Sequence, residues 1–232
     1  MPDGGLVANA RQRMDGLVLL RSLGARSAAA VFWDPQYRAG LDALAYGNEG
    51  ERQIERAKLP QMTDAQIAAF IEEIERVLQP SGHCFLWMDK FSLFSAHWHR
   101  WMPDITSLAL VDGIAWEKPP PFGMGRRSRG ITEYLVVLQK GPRRAKGIWK
   151  DHRIADCWTH KLETEELARR KIRAGVLAAC DHTHAKPLGL ELRLIESVTK
   201  RGDLVVDPAA GGYGVLEACR QTRRTFMGCD LI

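Results

Sequence analysis

Val205-Val206-Asp207-Pro208-Ala209-Ala210-Gly211-Gly212-Tyr213-Gly214 is the stretch on which the reading of this chain turns. An apolar run of β-formers ends in an acid and enters a glycine-rich turn. Beyond it, Leu216, Ala218 and Cys219 recur at helical spacing. Strand, glycine turn and helix make a ligand cradle. Glycine lets the backbone approach the ligand, and the helix N-terminus offers free N–H groups. The spacing is not the G-x-G-x-x-G of dinucleotide sites, which argues against a dinucleotide oxidoreductase. A carboxylate inside the turn suits a cation such as a sulfonium or ammonium better than a pyrophosphate. Asp230, after the Phe226-Met227 run, stands where an acid at the end of the next strand holds a ribose diol.

Outward from this turn, further short apolar runs read as buried strands: Ala28–Trp33 and residues 83–88, 108–116, 132–138, 204–206 and 225–229. Helical periodicity fills some of the gaps. It is clearest over 64–79, where Ile67, Phe70, Ile71, Ile74, Val77 and Leu78 share a face. Thr63 and Gln66 form a capping box there, and Pro80-Ser81-Gly82 stops the helix. Other helices are expected over 188–200 and after Gly214. Alternating strands and helices predict an α/β fold with a doubly wound, mostly parallel sheet. Residues 38–62 and 141–180 match no core element; the second is basic at its start and helical from Glu163.

With 232 residues the chain suits one α/β domain. No run approaches the roughly 20 apolar residues of a membrane span, and the first ten residues lack the pattern of a signal peptide. Five irregularly spaced cysteines do not form a disulfide framework, so a reducing, cytoplasmic setting is expected. Cys157 with His160, and Cys180 with His182 and His184, lack the paired spacing of zinc ligands, and no metal is expected. Trp98, Trp101, His97 and His99 read as a packed helix. The net charge of +5 is concentrated between Arg126 and Arg153, which hold nine bases and two acids. Arg126, Arg127, Arg129, Arg143, Arg144 and Lys146, with Trp149 and Trp158 nearby, suit a phosphate backbone.

Asp34-Pro35-Gln36-Tyr37 follows the Phe32-Trp33 strand end, where open α/β sheets bind ligands. Asp34 and the Pro35 carbonyl can each accept an N–H, and Tyr37 can stack on a ring. An ordinary Asp-Pro turn is the alternative for the tetrad alone.

Together the two motifs resemble the circularly permuted β-type DNA amino-methyltransferases, in which a D-P-P-Y tetrad precedes a D-P-F-x-G-S-G cofactor turn. The resemblance covers most of the chain. Asp15-Gly16 looks like the opening G-D segment, and Leu78-Gln79-Pro80-Ser81-Gly82 like L-K-P-G-G. Trp116-Glu117-Lys118-Pro119, Gly123–Arg127 and Glu133 resemble W-x-K-P … G-x-G-R-R … E. His182-Thr183-His184-Ala185-Lys186-Pro187 is similar to H-P-x-Q-K-P. Departures are Gln36 for proline, Gly211-Gly212-Tyr213-Gly214 for G-S-G-T, and Thr183 and Ala185 in the last motif. The resemblance implies a Rossmann-like methyltransferase fold, circularly permuted, with its first strand preceding Asp15. Residues 1–140 would be the catalytic half, 141–180 a short target-recognition insertion and 181–232 the cofactor half.

It also implies S-adenosylmethionine as cofactor, held by Asp15, Asp207, Pro208, Ala209, Gly211, Asp230 and Lys186. Asp34, Pro35, Gln36 and Tyr37 would be catalytic, acting on a base flipped from double-stranded DNA. Residues 38–62 would cover the DNA. The leading acid, Asp34, favours adenine N6 over cytosine N4, where serine leads more often. The alternatives are cytosine N4, an RNA substrate, and an inactive nucleic-acid-binding relative; a homodimer is a further expectation, and a membrane partner is not.

Overall fold

The computed structural model describes residues 5–36, 61–96, 98–102, 106–120, 128–172, 175–176 and 185–231. Its strands are β1 (Ala28–Trp33), β2 (Leu78–Met88), β3 (Leu108–Glu117), β4 (Thr132–Lys140), β5 (Cys157–Trp158), β6 (Leu204–Asp207) and β7 (Thr225–Gly228). Its helices are α1 (Gly16–Ser22), α2 (Asp64–Val77), α3 (Lys90–Phe94), α4 (Trp98–Trp101), α5 (His160–Arg169), α6 (Leu188–Val198) and α7 (Gly214–Thr222). The strands form one sheet in the order β5-β3-β4-β2-β1-β6-β7. β4 runs antiparallel to both neighbours and every other pairing is parallel.

Both faces of the sheet are covered, so central strands carry apolar residues on both sides. Along β1, Ala30 and Phe32 join a core with Phe85, Leu190, Leu194, Leu216 and Phe226, beneath α6 and α7. Val31 and Trp33 point the other way, into a core with Leu19, Leu20, Phe70 and Ile74 from α1 and α2. Trp33 stacks on Phe70 at 5.1 Å between ring centroids. The expected Thr63/Gln66 capping box forms at the start of α2.

That helix ends at Val77, two residues earlier than expected, and β2 starts at once. The segment Pro80-Ser81-Gly82 is absorbed into the strand as a bulge. Ala28 pairs with Leu78 but Ala30 already pairs with His83. Ser81 takes φ +64°, and a Cβ on Gly82 would lie 2.9 Å from the Gln79 carbonyl oxygen, so the bulge needs a glycine there.

Two expectations are corrected. In place of a strand before Asp15 there is one parallel bridge, Arg13 to Asp230. It is fastened by Met14 N–H donating to the Asp230 carbonyl and Asp230 N–H to that of Gln12. The opening segment and the last strand therefore do meet beside β7. Second, the described part of 141–180 contributes to the core. β5 extends the sheet beyond β3, Trp158 is 1% exposed, and Trp149, Ile154, Leu162 and Leu167 pack on the α6–α7 core. A two-residue strand leaves no periodicity to read. The helix there starts at His160, and its Glu163 accepts from Gly189 N–H at 2.7 Å and Leu190 N–H at 3.3 Å. It thus caps α6, whose own N-cap, Pro187, makes no side-chain bond. Trp101 of α4 is buried and donates to Asp64 at 2.9 Å, as a packed helix should.

No described helix is long and apolar enough to cross a membrane.

Candidate active site

The parallel strands β1, β6 and β7 lead to Asp34, Asp207 and Asp230, so pairing alone gathers three acids along one edge. β4 is reversed, so its beginning, not its end, reaches that edge. This brings Glu133 to the carboxyl end of β1, and Lys186 arrives just before α6.

Lys186 is the hub. Its Nζ lies 2.8 Å from Asp34 Oδ2 and 2.7 Å from Glu133 Oε2, and 5.1 Å from the centre of the Trp87 ring. Glu133 also faces Lys118 at 3.5 Å. Burial disfavours the Lys186 charge, but the two carboxylates outweigh it and raise the pKa above the usual lysine value. A buried ammonium bridging two carboxylates fixes one oxygen of Asp34 in space. The resemblance placed Lys186 among the cofactor contacts; this geometry gives it a bond to the leading acid of the tetrad as well.

Asp207 is 6% exposed, and its Oδ1 accepts from Ala209 N–H at 3.2 Å. Burial pushes its pKa up to about 8; the Ala209 bond opposes this, and the Asp230 and Asp34 charges add to it. Asp230 Oδ2 accepts from Gly211 N–H at 2.8 Å, tying the acid that follows β7 to the turn. Asp15 caps α1 through Leu17 and Val18 N–H. Next to it, a Cβ on Gly16 would run into the Pro208 carbonyl oxygen, so only glycine lets the opening segment lie against the turn. The structure therefore brings together Asp15, Asp34, Pro35, Lys186, Asp207, Pro208, Ala209, Gly211 and Asp230. Gln36 is exposed at the same end, and its carbonyl accepts from Met62 N–H at 2.9 Å. Tyr37, Arg126 and Arg127, along with Cys180, His182 and His184, lie outside the described residues. No group of three or more metal-ligating side chains occurs among the described residues.

The basic strip is divided. Arg129 precedes β4 at the acid-bearing edge, where Lys90 donates to Ser128 Oγ at 3.1 Å. Arg143, Arg144 and Lys146 follow the far end of β4, roughly 30 Å away at about 3.4 Å per strand residue. Lys140 and Lys150 are spent internally: Lys140 donates to the Leu78 carbonyl at 2.9 Å and Lys150 to that of Thr199 at 2.7 Å. A run in sequence is not one face here, because β4 crosses the whole sheet.

Two features escaped the reading of the sequence. Tyr213, standing where the resemblance has glycine, adopts φ 60° and is buried. Its hydroxyl donates to Gln12 O at 2.8 Å and accepts from Gln12 N–H at 3.2 Å, with Arg11 5.1 Å over its ring. It locks the opening segment onto the turn. Glu191 in α6 is the other, 3% exposed beneath that turn. An acid inside Leu188-Gly189-Leu190-Glu191-Leu192 was the available signal.

A seven-stranded sheet with one reversed strand, an acid-lined glycine turn at the end of β6 and a carboxylate held at the end of β1 define a group-transfer enzyme of the methyltransferase type. A family model described as DNA methylase, of N6 and N4 methyltransferases, matches residues 28–232. The type II methyltransferase M.HhaII of Haemophilus parahaemolyticus is 45% identical over 225 residues, covering 97% of this chain and 91% of that protein. The chain belongs to the N6/N4 DNA methylase family. Among solved structures, the PvuII cytosine-N4-specific DNA methyltransferase superposes with a TM-score of 0.66 at 17% identity, over 96% of this chain and 82% of that one. M1.HpyAVI in complex with S-adenosylmethionine gives 0.60 at 17% identity, over 95% and 92%. The S-adenosylmethionine complex of TTHA0409 from Thermus thermophilus gives 0.56 at 19% identity, over 96% and 87%.

The donor set fits such a cofactor. The Asp230 and Asp34 charges act on the buried Asp207, and those of Asp207 and Glu163 on the buried Glu191, where Lys186 opposes them. A cationic ligand supplies compensating charge. The N-terminus of α7, which has no side-chain cap, would offer N–H donors to an anionic group of such a ligand.

Proposed function

We propose that this chain transfers a methyl group from S-adenosylmethionine to N6 of adenine in duplex DNA, with the target base turned out of the helix. The observation that carries the reading is Asp34, held by Lys186 at the end of β1, beside the acid-lined turn at the end of β6. The cofactor supplies a methyl carbon made electrophilic by the sulfonium. Asp34 and the Pro35 carbonyl accept the two amino N–H bonds of the base and turn the nitrogen lone pair toward that carbon. Tyr37 stacks on the base. Lys186 and Glu133 keep the Asp34 carboxylate in place, so positioning and electrostatics provide the rate. Asp207, Asp230, Asp15 and the Gly211 region seat the cofactor. Arg129 tracks phosphates at this edge, Arg126 and Arg127, outside the described residues, add to the phosphate-binding charge, and the segment 141–180 contributes to target choice.

Labelled methyl transfer onto duplex DNA and RNA, followed by nucleoside mass spectrometry, tests this. N6-methyladenine from DNA is expected, with none from Asp34→Ala although that variant still binds cofactor. N4-methylcytosine would move the assignment to the other base of the family. Full activity of Asp34→Ala would refute the mechanism.

A further inference from the structure

Glu191 is an acidic side chain that α6 sends under the cofactor turn. It is 3% exposed, and its Oε2 is buried without a hydrogen-bond partner among the described residues. It lies against Gly214, the first residue of α7: a Cβ there would lie 2.9 Å from Glu191 Oε2, so a larger residue would press on the carboxyl in this position. The motif this turn resembles has threonine at that position, and a threonine here would press its Cβ on the acid. Gly214 thus leaves room above the Glu191 carboxyl that a larger residue would crowd.

A carboxyl buried without donors is far more stable neutral than ionised. The charges around Glu191 strengthen this. Asp207 of β6 and Glu163 of α5 are both acids, and the pKa of Glu191 is pushed well above the usual carboxylate range by burial and then by these two; Lys186 opposes them. Cys219 of α7 is also close enough to feel the Glu191 charge. Asp207 in turn feels Asp230 and Asp34. The free site is therefore acid-rich and reluctant to ionise.

We propose that Glu191 is a charge-sensing residue of the cofactor site, giving up its proton when a cationic ligand seats on the Asp207–Gly214 turn and so favouring the sulfonium-bearing methyl donor over its demethylated product. The balance is simple. The O–H bond of the neutral carboxyl breaks, its proton goes to solvent, and the resulting carboxylate faces the added positive charge. S-adenosylmethionine carries one positive charge more than S-adenosylhomocysteine, at the sulfur, so the donor is held more tightly than the product. The proposal rests on reading the turn as the cofactor seat.

Titration calorimetry of the whole chain with each ligand, in buffers of different ionisation heat, measures affinity and proton release together. For the wild type, S-adenosylmethionine binding should release about one proton more than in Glu191→Gln at pH 7. At pH 8.5 the variant should bind S-adenosylmethionine about tenfold more weakly and S-adenosylhomocysteine within threefold of wild type; at pH 6 the two proteins should agree. Because the amide mimics the neutral acid, Glu191→Gln should melt no lower than wild type. Equal proton release by both proteins overturns the proposal. So does an equal loss of affinity for both ligands, which would mark a structural role. Asp230→Ala separates the two readings: if it weakens cofactor binding while Glu191→Gln changes nothing, only the charge-sensing role falls. If neither changes binding, the turn is not the seat.

Discussion

Replacing Lys186 by methionine removes the charge that joins Asp34 to Glu133 while keeping most of the stem. Deleting one partner of a buried ion pair costs about 3–5 kcal/mol, whereas fully exposed pairs are worth about 0–1 kcal/mol. Lys186 retains only 13% of its side-chain exposure, but Asp34 keeps 35% and Glu133 26%, so water and Lys118 take up part of the loss. About 2 kcal/mol is the resulting expectation, midway between those limits. At about 2–4 °C per kcal/mol for a chain of this size, that lowers Tm by about 4–8 °C. The catalytic effect should be larger. With Nζ gone from its 2.8 Å contact, Asp34 is free to turn, and a displacement of about 1 Å in a reacting geometry costs about 100-fold in kcat. Single-turnover methylation and thermal unfolding of Lys186→Met, Glu133→Gln and the double variant form the test. The two substitutions should couple by at least about 1 kcal/mol in stability, as residues sharing one network do. A Lys186→Met protein that keeps kcat within about threefold of wild type would refute the assignment of Lys186 as the positioning residue for Asp34, whatever happens to its Tm.

The remaining predictions concern the charge map and the sheet edge. Arg129→Glu should weaken DNA binding and flatten its salt dependence, measured by fluorescence anisotropy against ionic strength, while the Arg143→Glu and Arg144→Glu pair at the far end should leave both within about twofold. Equal losses from the two would show that DNA spans the whole sheet. Trp158→Ala should destabilise by about 3–5 kcal/mol in urea titrations, since it empties a buried site next to α6 and removes the 2.8 Å bond to Glu163. A loss below about 1 kcal/mol would return 141–180 to the status of a detachable insertion.

The acid-bearing end of the fold was legible because the strands that lead to it are apolar runs, each followed or ended by an acid. β1 matches its expected bounds, and Asp34, Asp207 and Asp230 fall at strand ends as read. What was missed depends on pairing at a distance. The bulge at Pro80-Ser81-Gly82 looks in sequence like a helix stop, and only the β1 register reveals it as strand. β5 is too short for any period, yet Trp158 is buried because β3 accepts it as a neighbour. The basic strip misled for a related reason: charge was summed along the chain, while the chain ran antiparallel across the sheet. The partner of Lys186 could not be read either, since Glu133 and Asp34 meet only once β4 is reversed against β2.

The acids explain why these departures cohere. A site that binds a cation must hold negative charge in a buried place, and such charge works against the fold until the ligand arrives. Asp207, with its pKa raised to about 8, binds its proton more tightly folded than unfolded. Between the unfolded value of 3.8 and about 8 the native state holds more protons than the unfolded one. The cofactor-free fold therefore loses stability as pH rises through that window, by up to about 1.4 kcal/mol per pH unit for one proton. Urea unfolding across this range should show the decline in wild type and a shallower one in Asp207→Asn; identical slopes would remove Asp207 as its source. Tyr213 offsets part of the cost, because its two bonds to Gln12 fasten the opening segment across the turn. A tyrosine at positive φ where the resemblance has glycine, and a glycine at the start of α7 that leaves room for a buried acid, are then complementary: the first stiffens the turn under which the second buries a carboxyl.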